Sequence, residues 1–502
     1  LHLCDRRQRQ MCIRDSLGVD GESKPYRSTD LYAAVKGIDF IIDGHSHTVM
    51  TKGENGEPIQ STGTAFANIG VIVIDDATKK IESNSLFEIK EDTAKDATVA
   101  AAAQKIIDRI DKEYGAVFAK SEVVLNGAKA PNGNRDSETN NGDLITDAMV
   151  WKILQDKESL TVDADHVVAV TNGGGIRKAI NPGDVTKKNI NEVLPFGNTV
   201  VTIYITGAEL LEALEASTYC TPDAIGGFPQ VSGINYTIST AVAYDANAET
   251  YPASTYYGPK SINRVTINSI NGKEFKADDT YAVITNDFCG GGGDTYYAFA
   301  AATAKFDTGI PLDEVVMEYI TAELKGVIGK QYAAPQGRIL MNPFADVKAS
   351  SWFGKYVIDL YNDGIINGTS ATTYAPNNTL TWAAALKLLL VSNGDLKAAD
   401  ATGADWSKNA IAKAAELGLV AADLDGAKAI SRLEFCQVAA KLNKLAESKT
   451  ESKFTDCTDG YVMALVDAKV ISGMTETTFE PAASLTRAQI AKILYQLTLI
   501  EK

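Results

Sequence analysis

Two of the chain's four histidines, His45 and His47, stand one residue apart in the segment IIDGHSHTVM. Because alternate side chains of an extended segment point the same way, both imidazoles can face one site at the carboxyl end of the preceding apolar run. Imidazole binds Zn, Mn, Fe and Ni. On spacing alone, a metal site and a pair of surface loop histidines are equally good interpretations.

A dinuclear hydrolytic site also needs carboxylates and further imidazoles around two ions that lie roughly 4 Å apart. The remaining histidines are His2, in an arginine-dense start with no structural period, and His166, far downstream. No Asp-Xaa-His or Gly-Asn-His precedes His45. We therefore expect an incomplete ligand set and no catalytic residue in this chain, and we interpret residues 1–16 as a non-native start.

Strands that run into glycine loops are expected to position any site further along. The stretches HVVAVTNGGGIR and YAVITNDFCGGGGDTYYAF each predict a buried strand followed by such a loop. Thr206 and Glu209 form a predicted capping box at the start of a helix. Upstream, ANIGVIVIDDATKKIESNSLFEIK predicts two strands joined at Asp75 to Lys80, and helical spacing near residues 97–115 predicts a connecting helix.

Composition limits the class of protein. The 502 residues allow about three domains. The net charge of −16 argues against a nucleic-acid partner, and the absence of a long apolar run argues against a membrane span. Six cysteines show no zinc-finger or redox spacing, although Cys220 and Cys289 could pair.

Polar residues near the glycine loops suit an anionic ligand. Arg135 and Arg177 are forked cations that can bind phosphate through two hydrogen bonds. In NGGGIR, Asn172 offers an amide, and Gly173 to Gly175 allow backbone N–H groups to approach a ligand. The alternatives are a tight turn for the glycines and a solvated surface charge for each arginine.

The motifs resemble the secreted 5′-nucleotidase family. LGVDGESKPYRSTDLYAAVKGIDFIIDGHSHT resembles the end of its metallophosphoesterase domain, which implies two divalent ions such as Zn or Mn, with His45 and His47 as ligands. Ser16 stands where the family has another ligand histidine. RDSETNNGDLITDAM, NGGGIR, LPFGNTV, GGFPQVSG and NDFCGGGGDTYY resemble, in order, the family's C-terminal domain.

The resemblance implies a role for each matching residue. Phe196 and Tyr296 would sandwich the base, with Tyr297 as the weaker candidate for the second ring because Thr295 replaces a common glycine. Asp294 would bond the ribose or hold its loop. The implied substrate-binding set is Arg135, Asn172, Gly174, Arg177, Phe196, Asp294 and Tyr296. Without the resemblance, the two aromatic residues would be interpreted as core residues.

Residues 342–502 contain three related copies, the middle one shortened, with two helices and a glycine turn in each. They resemble S-layer homology domains, which implies binding to a secondary cell-wall polysaccharide of a Gram-positive-type envelope and an extracellular location. Arg432 and Arg487 match the family's arginine at a groove for acidic sugars, whereas Trp382 replaces it in the first copy. The first groove is then either inactive or stacks on a sugar ring. Alternatively, the copies are only spacers.

Together these features predict an α/β chain with a metallophosphoesterase sheet remnant, a mixed α/β nucleotidase C-terminal domain and small helix-rich repeats. The expected boundaries are 17–95 for the remnant, 96–120 for a linker helix, 121–341 for the substrate-binding domain, and 342–397, 398–448 and 449–502 for the repeats.

The expected function is hydrolysis of nucleoside 5′-monophosphates by a wall-anchored 5′-nucleotidase, of which this chain is a fragment that is inactive alone. The alternatives are a 2′,3′-cyclic-nucleotide phosphodiesterase or UDP-sugar hydrolase on the same scaffold, and a surface protein that binds nucleosides without catalysis.

Overall fold

The computed structural model describes residues 27–44, 46–243, 249, 251, 259–397 and 399–500. Within these ranges, strands and helices form where the hydrophobic periods of the sequence predict them. The chain divides into two units, Leu1–Tyr236 with Tyr244–Ile339 and Thr237–Ala243 with Leu340–Lys502. The first unit is mixed α/β and the repeat region of the second is helical, so the predicted fold class is confirmed.

The described strands are β1 (Ile41–Ile42), β2 (Val49–Met50), β3 (Ile59–Thr62), β4 (Asn68–Ile74), β5 (Ile81–Glu88), β6 (Val117–Ser121), β7 (Val167–Asn172), β8 (Gly183–Thr186), β9 (Thr199–Thr206), β10 (Pro229–Ser232), β11 (Ile234–Ser239), β12 (Val265–Ile270), β13 (Thr280–Asn286), β14 (Ala304–Pro311), β15 (Val327–Ile328) and β16 (Ile339–Asn342). The described α-helices are α1 (Ser28–Ala34), α2 (Ala97–Tyr114), α3 (Asn140–Leu154), α4 (Lys187–Val193), α5 (Gly207–Ser217), α6 (Asp287–Gly290), α7 (Tyr297–Ala300), α8 (Leu312–Ala322), α9 (Gly354–Asn362), α10 (Trp382–Asn393), α11 (Trp406–Glu416), α12 (Arg432–Leu442), α13 (Gly460–Asp467) and α14 (Arg487–Thr498).

A five-stranded sheet in the order β10-β7-β13-β9-β14 organises the first unit. Strands β7 and β13 are parallel, and β9 runs antiparallel to β13. Every residue of β7 is buried, in keeping with its apolar run over residues 167–170, and helix α3 packs against β7, β10 and α8. The carboxyl ends of β7 and β13 and the start of β9 therefore meet at one edge of the sheet.

Smaller elements precede this sheet. Strands β4 and β5 form the antiparallel hairpin expected on either side of Asp75 to Lys80. Helix α2 follows, and the Asp96 side chain accepts hydrogen bonds from the N–H groups of Thr98 and Val99 at its start. The predicted capping box of Thr206 and Glu209 is present at α5.

The helical repeats of the second unit close into a ring. Each repeat contributes a helix pair: α9 with α10, α11 with α12, and α13 with α14. Three isolated β-bridges join the repeats, each bridge between a different two of them: Thr381 with Ala429, Ser431 with Ser484, and Thr379 with Thr486. Because each repeat is bridged to both others, the apolar faces of the three helix pairs share one core.

None of the described helices is long and apolar enough to cross a membrane. Cys220 and Cys289, the pair that the sequence left undecided, are not joined by a disulfide. Cys289 is buried and Cys220 is partly exposed.

Candidate functional site

A loop at residues 225–228 joins two of the predicted substrate-binding segments. The Ile225 N–H donates to the carbonyl of Arg135 at 2.9 Å, and the Gly174 N–H donates to the carbonyl of Gly226 at 2.7 Å. Residues 226–228 of this loop begin the motif GGFPQVSG, in which the sequence predicted no individual contact. It connects the Arg135 segment to the glycine turn that follows β7.

Close packing requires glycine at Gly173. A Cβ atom there would lie 1.7 Å from the carbonyl oxygen of Asn134. The Gly173 N–H donates to the carbonyl of Phe228 at 2.7 Å. Since the N–H groups of Gly173 and Gly174 are both engaged within the protein, the turn is held rigidly, and a contact of Gly174 with substrate stays a prediction.

Buried amides and a carboxylate link the ends of β7 and β13. Asn172 donates through Nδ2 to Asp294 at 2.7 Å and accepts through Oδ1 from Asn286 at 3.0 Å. Asn286 also accepts from the Cys289 N–H at 2.8 Å, which caps α6. Asn172, Asn286 and Asp294 are each at most 6% exposed. This network fixes the position of both glycine loops.

Arg177 and Phe196 form the more exposed part of the same edge. The Arg177 guanidinium lies 5.6 Å from the centre of the Phe196 ring, and its Nη1 donates to the carbonyl of Gly174 at 3.1 Å. Phe196 is 61% exposed. An exposed ring beside a cation suits a flat, anionic ligand.

The Tyr296 ring is fully enclosed. Its hydroxyl donates to the carbonyl of Gly227 at 2.8 Å, and its ring packs 5.0 Å from that of Phe299. Tyr297 is half-buried and stacks 4.7 Å from Tyr251. The base-stacking role of either tyrosine stays a prediction, and Tyr296 also anchors the 225–228 loop.

A buried acidic cluster lies at the start of α3. Burial and the charge of Glu138 raise the pKa of the Asp143 carboxyl to about 8, while Arg338 lowers it in part. Burial also raises the pKa of Glu138. Arg338 donates to Asp147 at 2.8 Å and lies 3.5 Å from Asp143. The motif RDSETNNGDLITDAM contains Glu138, Asp143 and Asp147, but its pattern does not predict this cluster.

The predicted metal ligands are only partly within the described residues. His45 lies outside them. His47 is exposed and has a left-handed backbone with φ of 58°. Across the described ranges, no group of three or more His, Cys, Asp or Glu side chains could hold a metal ion. The described residues therefore do not complete a metal site.

The repeat arginines are bound to the backbone of a neighbouring repeat. Arg432 is 6% exposed, donates through Nη2 to the carbonyl of Ser472 at 2.7 Å, and lies 4.6 Å from the centre of the Phe479 ring. Burial lowers the pKa of its guanidinium.

The arginine of the third repeat contacts the first repeat in the same way. Arg487 donates through Nε to the carbonyl of Tyr374 at 2.7 Å and through Nη2 to that of Asn367 at 2.8 Å. Trp382 is 8% exposed. Its backbone N–H donates a hydrogen bond to the carbonyl of Lys428 in the middle repeat at 2.9 Å. Sugar contacts by Arg432, Arg487 and Trp382 stay predictions.

Two residues of the site region, Asn286 and Asp287, were not predicted from the sequence as individual site residues. Asn286 links β13 to β7, and Asp287 accepts from Asn198 at 2.7 Å, which ties the start of α6 to the segment before β9. Their signal was the pair ND at the end of a buried strand, where side chains reach the sheet edge.

Comparisons with known protein families match two regions. The model described as "5′-nucleotidase, C-terminal domain" matches residues 117–301, and the S-layer homology domain matches residues 343–385 and 456–491.

Individual relatives agree with the first match. The trifunctional nucleotide phosphoesterase protein YfkN of Bacillus subtilis (strain 168) is 33% identical over 331 residues, which cover 62% of this chain and 20% of that protein. The Homo sapiens 5′-nucleotidase is 27% identical over 336 residues, which cover 61% and 55%. This chain thus spans a fifth to about half of these relatives.

A solved 5′-nucleotidase precursor from Thermus thermophilus is similar over 61% of this chain and 60% of its own. The sequence identity is 26% and the TM-score is 0.47.

Proposed function

The chain belongs to the 5′-nucleotidase family, and from this premise we propose that residues 121–341 bind a nucleoside 5′-monophosphate for hydrolysis to nucleoside and phosphate. The supporting observation is the 225–228 loop, which hydrogen-bonds to the Arg135 segment, to the glycine turn after β7 and to Tyr296. These segments are distant in sequence, and their convergence at one sheet edge suits a single ligand.

Each side chain has a proposed task. Arg135 and Arg177 bind the phosphate through their forked guanidinium groups. Asn172 and Asp294 lie close to the sugar, where their mutual hydrogen bond keeps both groups oriented. Phe196 stacks on the base, and Tyr296 is the predicted second ring.

The family is typically metal-dependent, and two divalent ions such as Zn or Mn would hold and neutralise the phosphoryl oxygens. We propose His45 and His47 as two of their ligands. Since the described residues do not complete such a site, we assign no catalytic step to them and propose that this chain alone releases little phosphate from AMP. Nucleoside binding without catalysis is therefore the second candidate function for this chain.

The S-layer homology domains indicate association with the cell surface. We propose that the repeat ring anchors the chain to a secondary cell-wall polysaccharide, with Arg432, Arg487 and Trp382 at the sugar-binding grooves. A nucleotidase held there would act on extracellular nucleotides.

Calorimetric titration with adenosine, in the presence of a metal chelator, tests the binding function. The wild-type chain should bind, and Phe196→Ala should weaken binding about 5- to 150-fold, because a base–aromatic stack contributes about 1–3 kcal/mol. Phe306→Ala is the matched control, since Phe306 is similarly exposed (63%) but lies on the edge strand β14.

Arg135→Ala and Arg177→Ala should each weaken binding of AMP more than binding of adenosine. Equal adenosine affinity in the wild type, Phe196→Ala and Phe306→Ala would exclude the stacking role of Phe196. Absence of adenosine and AMP binding in the wild type would exclude the proposed function.

A further inference from the structure

The junction between the second and third repeats contains two buried cysteines that the proposed function does not use. Cys436 belongs to α12 of the second repeat and has no exposed surface, whereas Cys457 precedes α13 of the third repeat and is 7% exposed. Both side chains lie in the core that the three repeats share, and no disulfide joins them in the structure. The contacts around them determine whether the two sulfur atoms can meet.

Contacts on one side of the pair run from α12 to the residue before Cys457. Arg432 and Cys436 are one helical turn apart and therefore lie on the same face of α12. The Arg432 guanidinium lies 4.6 Å from the centre of the Phe479 ring, and the Phe479 N–H donates to the Asp456 carboxylate at 2.8 Å. Because Asp456 directly precedes Cys457, the face of α12 that carries Cys436 is turned toward the Cys457 segment.

Contacts on the other side complete the alignment of the two segments. Gln437, the residue after Cys436, donates through Nε2 to the Asp459 carboxylate at 2.7 Å. Asp459 is the N-cap residue of α13 and lies two residues after Cys457. Helix α12 also packs directly against α13. Since contacts hold the two segments together immediately before and after the cysteines, the two thiols lie at the same place in the interface.

The ionisation of the thiols agrees with this proximity. Burial raises the pKa of the Cys436 thiol to about 12, the Arg432 guanidinium lowers it in part, and negative charge at Cys457 and Asp459 adds to the increase. Burial also raises the pKa of the Cys457 thiol. Both thiols are therefore protonated at neutral pH. We expect them to react slowly there and faster at alkaline pH, because the thiolate is the nucleophile.

The corresponding junction between the third and first repeats has no cysteine at these positions. Ala491 occupies the position in α14 that Cys436 occupies in α12, four residues after the arginine, and Val347 ends FADV where Cys457 ends FTDC. Ala491 and Val347 are buried in the same core. Small apolar side chains therefore suffice at these positions, and packing alone does not account for a thiol at both of them in the other junction.

We propose that Cys436 and Cys457 are a disulfide-forming pair that joins the second and third repeats covalently when the chain meets a disulfide oxidant R–S–S–R. Cys457, the more exposed thiol, loses its proton and attacks the oxidant, which forms an S–S bond to R and releases RSH. The Cys436 thiol then loses its proton and attacks the Cys457 sulfur, which releases the second RSH. The two cysteines lose two electrons and two protons, and the oxidant is reduced to two thiols.

The bridge would stabilise the repeat ring. The S-layer homology domains indicate association with the cell surface, where disulfides persist. A bond between Cys436 and Cys457 closes a loop of about 20 residues, which restricts the unfolded chain and so favours the folded repeats. We expect the unfolding temperature of the repeats to rise by about 6–12 °C on oxidation.

Peptide mapping of the oxidised chain tests the bond directly. The chain is incubated under native conditions at a pH of about 8 with oxidised glutathione, or with reduced glutathione as the reference, then alkylated and digested with trypsin without reduction. Mass spectrometry should find peptide 433–441 linked to peptide 454–469 only after the oxidised form. Calorimetry should show the higher unfolding temperature in the same sample, and dithiothreitol should reverse both changes.

The other junction supplies a matched control variant. The double variant Cys436→Ala, Cys457→Val copies Ala491 and Val347, so it should fold, and oxidised glutathione should not change its unfolding temperature. Cys220→Ser removes a partly exposed thiol of the first unit and should form the linked peptide as the wild type does.

Three outcomes would overturn the inference, and none of them depends on nucleotide binding. The first is recovery of Cys436 and Cys457 unlinked, either as thiols or as separate glutathione adducts, after prolonged oxidation at alkaline pH. The second is a linked peptide that joins either residue to a different cysteine. The third is formation of the 433–441 to 454–469 link only in urea, because the two thiols would then meet only in the unfolded chain.

Discussion

Asp143 carries the clearest pH-dependent contribution at the scale of single residues. Its carboxyl is 1% exposed, and burial beside Glu138 raises its pKa from 3.8 to about 8. Between these values the folded chain binds a proton that the unfolded chain has released, so this group's contribution to stability falls as the pH rises. The slope can reach about 1.4 kcal/mol per pH unit.

We therefore expect Asp143→Asn to become more stable, relative to the wild type, as the pH rises from about 5 to about 8. Asparagine is neutral throughout this range and keeps an oxygen that can accept from the Gln336 N–H, as Asp143 does at 3.1 Å. Urea unfolding of both proteins at several pH values measures the difference. A stability difference that stays constant with pH would contradict the raised pKa.

Only part of the residue-scale picture could be predicted from sequence. Arg177 and Phe196 lie in short motifs, and the family resemblance placed both in one substrate-binding set. The acidic cluster could not be predicted, because a helix start rich in Asn, Asp and Glu normally indicates a solvated end. Arg338, which pairs with the buried Asp143 and the half-buried Asp147, comes from a segment far along the chain.

At the scale of elements, each repeat junction depends on which backbone carbonyl groups the neighbouring repeat presents to the arginine. Arg487 reaches the carbonyls of Asn367 and Tyr374 in the turn of the first repeat, and Arg432 reaches that of Ser472 in the third. The middle repeat is shortened over this turn. An arginine at residue 382 would lack those carbonyl partners, which explains the buried Trp382. The sequence revealed the repeats and the substitution but not this pairing.

We expect Arg487→Ala to loosen the ring between the third and first repeats. The variant loses two hydrogen bonds from a charged donor and the contact with the Tyr374 ring at 4.4 Å, which together contribute about 2–4 kcal/mol. Hydrogen-exchange mass spectrometry should show faster exchange in α9, α10 and α14.

Lys492→Ala is the control, because Lys492 is an exposed cation on the same helix α14. It should leave exchange unchanged. Wild-type exchange rates in Arg487→Ala would mean that the guanidinium does not hold the junction and is available for other contacts, such as the predicted sugar.

At the scale of the whole molecule, the order of the domains could be predicted from the sequence because each region contains several motifs in a fixed order. Residues 117–301 and the first and third repeats match family models, as the resemblances predicted. The exposure of individual side chains could not be predicted from these motifs. Tyr296 and Phe288 belong to one motif, yet the Tyr296 side chain is fully buried and that of Phe288 is 42% exposed, a difference that only the fold reveals.

The division into two units predicts that wall attachment and nucleoside binding do not compete. The chain should sediment with purified cell-wall fragments that carry secondary polysaccharide and not with fragments stripped of it. Its adenosine affinity should agree within about twofold between the sedimented and free chain, since sites without coupling leave each other's affinity unchanged. Phe196→Ala should sediment like the wild type while binding adenosine weakly. Release of the chain from the wall by adenosine would show that the two sites are coupled, because linkage is reciprocal.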